Sequence, residues 1–141
     1  MKNIILLAIL LFTQFIGLAQ RLDASKVPAS VKKAYENKYP GVSARWEKEK
    51  GNYEVSFKQD GLDASLLINA AGNIMETEIG IAVNALPAKV PQYLAAHYKG
   101  KTIKAAAKIT KADGSVNYEA ELSGKDFLFD ENGNYLHAEK D

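Results

Sequence analysis

The sequence repeats itself, and that repeat constrains the fold more than any other feature. Val27-Pro-Ala-Ser-Val-Lys-Lys-Ala-Tyr-Glu-Asn-Lys-Tyr-Pro-Gly41 returns as Leu86-Pro-Ala-Lys-Val-Pro-Gln-Tyr-Leu-Ala-Ala-His-Tyr-Lys-Gly100. Asn52-Tyr-Glu-Val55 returns as Asn117-Tyr-Glu-Ala120, and Ala71-Gly-Asn-Ile-Met-Glu-Thr-Glu78 as Asn132-Gly-Asn-Tyr-Leu-His-Ala-Glu139. A duplicated segment of this length is a small supersecondary unit that completes its core by packing on its copy. The repeat fixes architecture, and it leaves chemistry open.

Residues 1–19 read as a secretory signal peptide. Lys2 is the positive n-region, Ile4 to Ile16 the short apolar core, and Gly17 and Ala19 the small residues of a cleavage site. The apolar run is shorter than the roughly 20 residues a spanning helix needs, and Thr13 and Gln14 interrupt it. Cleavage after Ala19 leaves Gln20 to Asp141, a chain expected in the periplasm or outside the cell, with no membrane attachment. The whole sequence holds 18 Lys and Arg against 17 Asp and Glu, so loss of Lys2 brings the two signs into balance. Such a chain gives no electrostatic case for nucleic acid. Cysteine is absent, which excludes disulfides and a thiol nucleophile and leaves packing to supply stability.

Each half has the same order, one helix and then about four short strands, with the division at 20–82 and 83–141. The spacing of Val27, Val31, Ala34, Tyr35 and Tyr39 predicts a helix over 28–39, stopped by Pro40-Gly41. Leu86, Val90, Leu94 and Tyr98 predict the second helix. Pro91 would remove a hydrogen bond if that helix began at Pro87, and a start nearer Pro91 is the alternative. Alternating runs predict strands at 42–49, 52–58, 62–69 and 73–79, then 102–111, 115–122, 125–130 and 134–139, separated by turns such as Asp60-Gly61 and Asp113-Gly114. The fold class is α+β, a tandem repeat of a helix plus an about four-stranded antiparallel sheet, with the helices packed on one sheet face. Each half of about 55 residues would bury only about 60% of its unfolded surface, so the halves should join edge to edge or face to face.

Alternation assigns faces. Tyr53, Val55 and Phe57, with their counterparts Tyr118, Ala120 and Leu122, are expected to face the helices, as are Leu66, Ile68, Phe127 and Phe129 and the pair Met75 and Leu136. Trp46, aligned with Ile109 on an apolar side shared with Ile103, Ala105 and Ala107, is expected in the core. The opposite face, open to water, then carries Glu54, Ser56, Lys58, Glu76, Glu78, Glu119, Glu121, Tyr135, His137 and Glu139, with Arg45, Lys104 and Lys108 as further cations.

The pattern Val27-Pro-x-x-Val-x-x-x-Tyr35, followed by Tyr39-Pro-Gly41, Arg45-Trp-Glu-Lys-Glu49, Asn52-Tyr-Glu-Val55 and Gly72-Asn73, resembles the PepSY-like, β-lactamase-inhibitor-like (BLIP-like) proteins of Bacteroidetes envelopes. The resemblance spans about residues 26–139. The second copy departs from it at Pro91 and Lys99 and lacks the tryptophan. It implies tandem helix-on-sheet modules, an extracytoplasmic location, no known catalysis, and binding of a protein in the manner of an inhibitor.

Reactive constellations are sparse. His97 falls on a helix and His137 near a strand end, with no further ligands at metal spacing. Asp130-Glu-Asn-Gly-Asn134 lacks the calcium-loop spacing, and its copy Asn69-Ala-Ala-Gly-Asn73 has no acid, so a hairpin turn explains both. No Gly-x-Ser-x-Gly elbow, His-Glu-x-x-His pair or phosphate loop occurs. The expectation is a protein that is not an enzyme and needs no cofactor or metal. Its binding surface would be the open sheet face, with Glu54, Lys58, Glu76, Glu119, Glu121, Tyr135 and His137 as contact residues and Leu128 beside them. The partner would be another periplasmic or secreted protein of basic character. The alternative is a carrier of a small apolar or glycan ligand held between the repeats, in a pocket lined by Tyr35, Tyr53, Tyr98 and Phe127.

Overall fold

The computed structural model describes residues 20–140, so the signal peptide expected over 1–19 lies outside the described residues. The chain forms β1 (Gln20–Leu22), α1 (Ala29–Lys38), β2 (Arg45–Glu49), β3 (Asn52–Gln59), β4 (Leu62–Ile68) and β5 (Ile74–Ile81). It continues as α2 (Lys89–His97), β6 (Ala105–Lys111), β7 (Val116–Glu121), β8 (Lys125–Asp130) and β9 (Tyr135–Lys140). A short 3-10 turn precedes each helix, Ala24–Lys26 and Val83–Ala85.

Two separate sheets of about four strands do not form. All nine strands make one antiparallel sheet in chain order, because β5 of the first repeat pairs with β6 of the second from Glu76↔Lys111 to Ile81↔Ala106. The halves thus join edge to edge, and each repeat supplies the partner for an edge the other would leave open. β1 adds a strand that the alternation did not signal, its three residues pairing with Trp46 to Lys48.

Both helices lie on the same sheet face. On β5, Ile79 packs against the first core and Ile81 against the second, and residues two apart share a face. At 10 and 9 residues, helices this short gain their stability from packing an apolar stripe, not from intrinsic propensity. Val31 and Tyr35 do this in α1, Val90 and Leu94 in α2. The helix α2 starts at Lys89, which resolves the position of Pro91. It is the third helical residue, within the first turn whose N–H groups have no intrahelical acceptor, so its missing N–H costs little.

The first core gathers Val31, Tyr35, Trp46, Val55, Phe57, Leu66 and Ile68, and the second Val90, Leu94, Ala120, Leu122, Phe127 and Phe129. Trp46 is buried, with its ring edge-on to Tyr35 at 5.6 Å. Its expected equivalence to Ile109, however, does not hold. Trp46 pairs with Val55, and the repeat equivalent of that pair is Ala106 with Ala120. Ile109 and Ala107 therefore belong to the opposite face, where they pair with Glu78 and Glu119, and Lys108 emerges on the helix side.

Met75 and Leu136 are exposed and are not core residues. Each is the extra residue of a β-bulge. Leu67 pairs with Glu76 and Ile68 with Ile74, and in the second repeat Leu128 pairs with His137 and Phe129 with Tyr135. A bulge removes one residue from strict alternation, so every residue before it changes face relative to a simple count.

Both bulges follow the same turn. Asn69 Oδ1 accepts from the N–H of Ala71 (3.1 Å) and Asn73 (3.0 Å). Asp130 Oδ1 accepts from Asn132 (2.9 Å) and Asn134 (2.8 Å), while Oδ2 accepts from Asn134 Nδ2 (2.8 Å). Those bonds hold the Asp130 carboxyl below the usual carboxylate range. An amide and a carboxylate oxygen serve the turn equally, so turn chemistry accounts for the acid in the second copy.

Gly72, at φ +88°, presses this turn against the start of α1, where a Cβ would meet the Ser30 carbonyl oxygen at 2.7 Å. We expect Gly72→Ala to destabilise the protein by about 1–3 kcal/mol through strain and lost contact, read as a lower urea midpoint at unchanged slope. Gly61→Ala has a similar φ but open space around it. It should therefore cost less, and an equal loss would remove the packing part of the explanation.

Candidate functional site

The sheet face opposite the helices is built row by row from the strand register. One row runs Arg45, Ser56, Ser65, Glu78, Ile109, Asn117, Asp130. Another runs Glu47, Glu54, Leu67, Glu76, Lys111, and a third joins Ala107, Glu119, Leu128 and His137. Glutamate recurs because the Asn-Tyr-Glu and Glu-Thr-Glu segments of the repeat place it at alternate positions on central strands.

Much of this face is shielded from water, contrary to the open surface that alternation implied. Ser65, Leu67, Glu76, Glu78, Ile109, Asn117, Glu119, Asp126 and Leu128 are all buried, Glu78 completely. Both Glu78 carboxylate oxygens and the Ser65 hydroxyl beside it lack a hydrogen-bond partner. The physical consequence is a set of carboxyls that resist ionisation. Desolvation, reinforced by the charges of Glu119, Glu76, Glu54 and Asp126, raises the Glu78 pKa well above the ordinary value. Desolvation likewise raises Glu54 to about 7, with Glu47 and Glu49 adding repulsion and Ser56 and Arg45 opposing it. Glu76 also rises to about 7 through desolvation, against the nearby Lys111 cation.

Of the seven residues expected to make contacts, six share this face. Glu54 is half-buried and accepts from Ser56 Oγ at 3.3 Å. Lys58 reaches the solvent edge and pairs with Asp63 at 2.7 Å. Glu76 and Glu119 are buried, Glu121 is half-buried beside Asp126, and His137 Nε2 lies 3.0 Å from Glu139 Oε1. Tyr135 belongs to the other face. The Leu136 bulge turns it toward α2, where its ring stacks on Tyr93 at 4.7 Å. Leu128 is on the expected face but fully buried, so it is a packed floor and not an exposed contact.

The aromatic residues expected around a ligand between the repeats lie elsewhere. Tyr35, Tyr53 and Phe127 are core side chains, and Tyr98 packs edge-on to Phe127 at 4.8 Å. A cavity of about 410 Å³ does open at the seam between the repeats, with a different lining: Glu49, Lys50, Leu67, Met75, Glu76 and Lys111 among others. Sequence reasoning missed Lys50 and Lys111 because the cavity depends on the β5–β6 pairing. Assuming an edge-to-edge join and reading the register across it would have found Lys111, whereas Lys50 lies in the β2–β3 turn, outside that pairing. Among the described residues no cluster of three or more His, Cys, Asp or Glu has metal-binding geometry, and no helix is long and apolar enough to cross a membrane.

The sequence profile of the family described as "Putative beta-lactamase-inhibitor-like, PepSY-like" matches the chain twice, over residues 17–76 and 68–137. The chain belongs to this family. Solved structures agree on the fold of the PepSY-like chain. A structure from Bacteroides eggerthii described as "putative periplasmic proteins" superposes with a TM-score of 0.72 at 17% identity, covering 81% of this chain and 88% of that one. A DUF2874 family protein from Bacteroides uniformis gives 0.65 at 19% identity, covering 80% and 88%. A BLIP-like protein from Bacteroides fragilis gives 0.58 at 21% identity, covering 80% and 86%. At such identities the likeness concerns fold alone. No curated protein matches the sequence.

Proposed function

We propose that this PepSY-like chain is a periplasmic or secreted, non-catalytic module that binds a basic protein on the sheet face opposite its helices, and so acts in the inhibitor-like manner its family description suggests. The observation that carries this reading is the charge of that face. Glu47, Glu54, Glu76, Glu78 and Glu121 share it, and among the described residues none of them is held in an ion pair. Glu47 and Glu121 keep access to water and can meet a partner's cations directly, while the half-buried Glu54 and the buried Glu76, held near 7, gain most from ionising when such a cation arrives. This complementarity governs association rate and partner choice. The family match and the periplasmic descriptions of the related structure support the location. The aromatic side chains of the carrier reading are occupied in packed cores, which favours the protein-binding reading over it.

The test is affinity capture from periplasmic extract with residues 20–141, at low and high salt, beside the charge-reversed variant E47K/E121K. Both positions are half-buried and keep access to water, so the variant should remain folded. A defined partner held at low salt, released at high salt and lost with the variant is the expected result. A partner retained equally by both proteins would place the contact off this face.

A further inference from the structure

The seam cavity depends on the join between the repeats, and its origin shows what it can hold. The Met75 bulge in β5 is followed by a strand that pairs with β6, and the Met75 carbonyl accepts from Ala112 N–H at 2.9 Å. The equivalent bulge at Leu136 is in β9, which is an edge strand among the described residues, so no neighbouring strand walls it there. The wall made by Lys111, Ala112 and Asp113 comes from the second repeat, so the first repeat alone would lack it.

Its depth and rim differ in chemistry. Leu67 and Glu76 form the floor, both buried, and the exposed Met75 supplies an apolar wall. Lys50, on the rim, is largely exposed and only 4.0 Å from Glu49, while Lys111 is half-buried across the opening. A deep carboxyl beside aliphatic surface suits a charged head on a long apolar stem. The rim cations suit backbone carbonyls or acidic neighbours of that side chain, and they repel a run of consecutive positive charges. A volume of about 410 Å³ falls within the range of small-ligand sites, roughly 300–1,000 Å³.

We propose that the seam pocket is a lysine-recognition site, taking the ammonium and aliphatic stem of one lysine side chain that the bound partner presents between non-basic neighbours. The proposal rests on the protein-binding reading above and specifies its chemistry. Binding is coupled to a proton. With Glu76 held near 7 by burial, a fraction of its carboxyls are neutral at pH 7, and an arriving ammonium selects the ionised form and releases the proton to solvent. The charged groups around Glu76 are Glu49 and Lys50 at the end of β2, Glu54 on β3, Glu78 on its own strand, and Lys111 and Asp113 at the end of β6. β4 contributes the uncharged Leu67.

The probe is the tripeptide acetyl-Gly-Lys-Gly-amide, titrated into the 20–141 protein with amide chemical shifts as the readout, beside its norleucine counterpart. Shifts that saturate at Leu67, Met75, Glu76 and Lys111 for the lysine peptide alone are expected. Its affinity should rise up to about tenfold from pH 6 to pH 8, as a group of pKa about 7 passes from mostly neutral to mostly ionised. E76Q should weaken binding and flatten that pH profile. Met75→Ser, at an exposed position, should weaken it a few-fold and keep the profile. Equal response to the norleucine peptide, or a pH-independent affinity, overturns the proposal. Shifts confined to Glu47, Glu54 and Glu121 overturn the pocket and leave the sheet-face reading standing. That reading fails separately in the capture experiment, whose two substitutions lie outside the pocket.

Discussion

Truncating Phe127 to alanine is expected to lower stability by about 3–5 kcal/mol, the largest loss of any substitution considered for this protein. The ring is completely buried in the second core, edge-on to Tyr98 at 4.8 Å and beneath α2. Its removal leaves a cavity that a strand fixed on both sides, by β7 and β9, cannot collapse to fill. A fall in melting temperature on the order of 10–20 °C should accompany it. The shape of the transition is as informative as its midpoint. Because β5 and β6 are paired along six residues, disruption of the second core should shift one common transition for the whole sheet. Leu66→Ala in the first core should move that same transition, by about 2–5 kcal/mol. Two separate steps after either change would mean that the repeats unfold independently, and the edge-to-edge join would then contribute little to their stability.

Raising the pH from 5 to 8 is expected to destabilise the folded protein. Glu54 and Glu76 titrate near 7 when folded and near the ordinary value of 4.5 when unfolded, and burial moves Glu78 further in the same direction. The folded state thus binds more protons between those values, so its advantage is complete below about pH 4.5 and is lost as pH rises through about 7. A tenfold change in proton affinity between the two states corresponds to about 1.4 kcal/mol. A fully enclosed carboxyl moved from 4.5 to about 7 would withdraw about 3 kcal/mol, and Glu54, which keeps contact with water, withdraws less. Urea unfolding at pH 5, 6, 7 and 8 measures the slope. Glu78→Leu provides the control: it replaces an unpartnered buried carboxyl with an apolar side chain of similar size. Stability at pH 8 should rise by about 1–3 kcal/mol and the slope should shrink. A flat profile in the unaltered protein would show that these carboxyls reach water.

The same carboxyls connect stability to recognition. The buried, partly protonated face is least comfortable when ionised, which is when a cation from a partner gains most by arriving. Binding of a basic partner should therefore stabilise the protein more at pH 8 than at pH 6.

The repeat, the apolar stripes and the turn glycines determined the two helices, the order of every strand after β1 and most residues of both helix-side cores by local chemistry. Periods of 3.6 and 2 and the φ requirements of tight turns act within a few residues, so they are written in the sequence. The same alternation placed six of the seven expected contact residues on the face they occupy. Tertiary structure alone decided the rest. The bulges at Met75 and Leu136 broke the count that had placed those two residues in the core and Tyr135 on the open face. No residue in Ile74-Met75-Glu76 marks the extra position, which arises from the pairing of two strands. The register of β6 against β5 sent Ile109 and Ala107 to the glutamate face and Lys108 to the helix side. Register between strands from different repeats is a long-range choice, set by which edge meets which. That join also created the one continuous sheet and the seam pocket, and with the burial of Glu78 it gave the acidic face its chemistry.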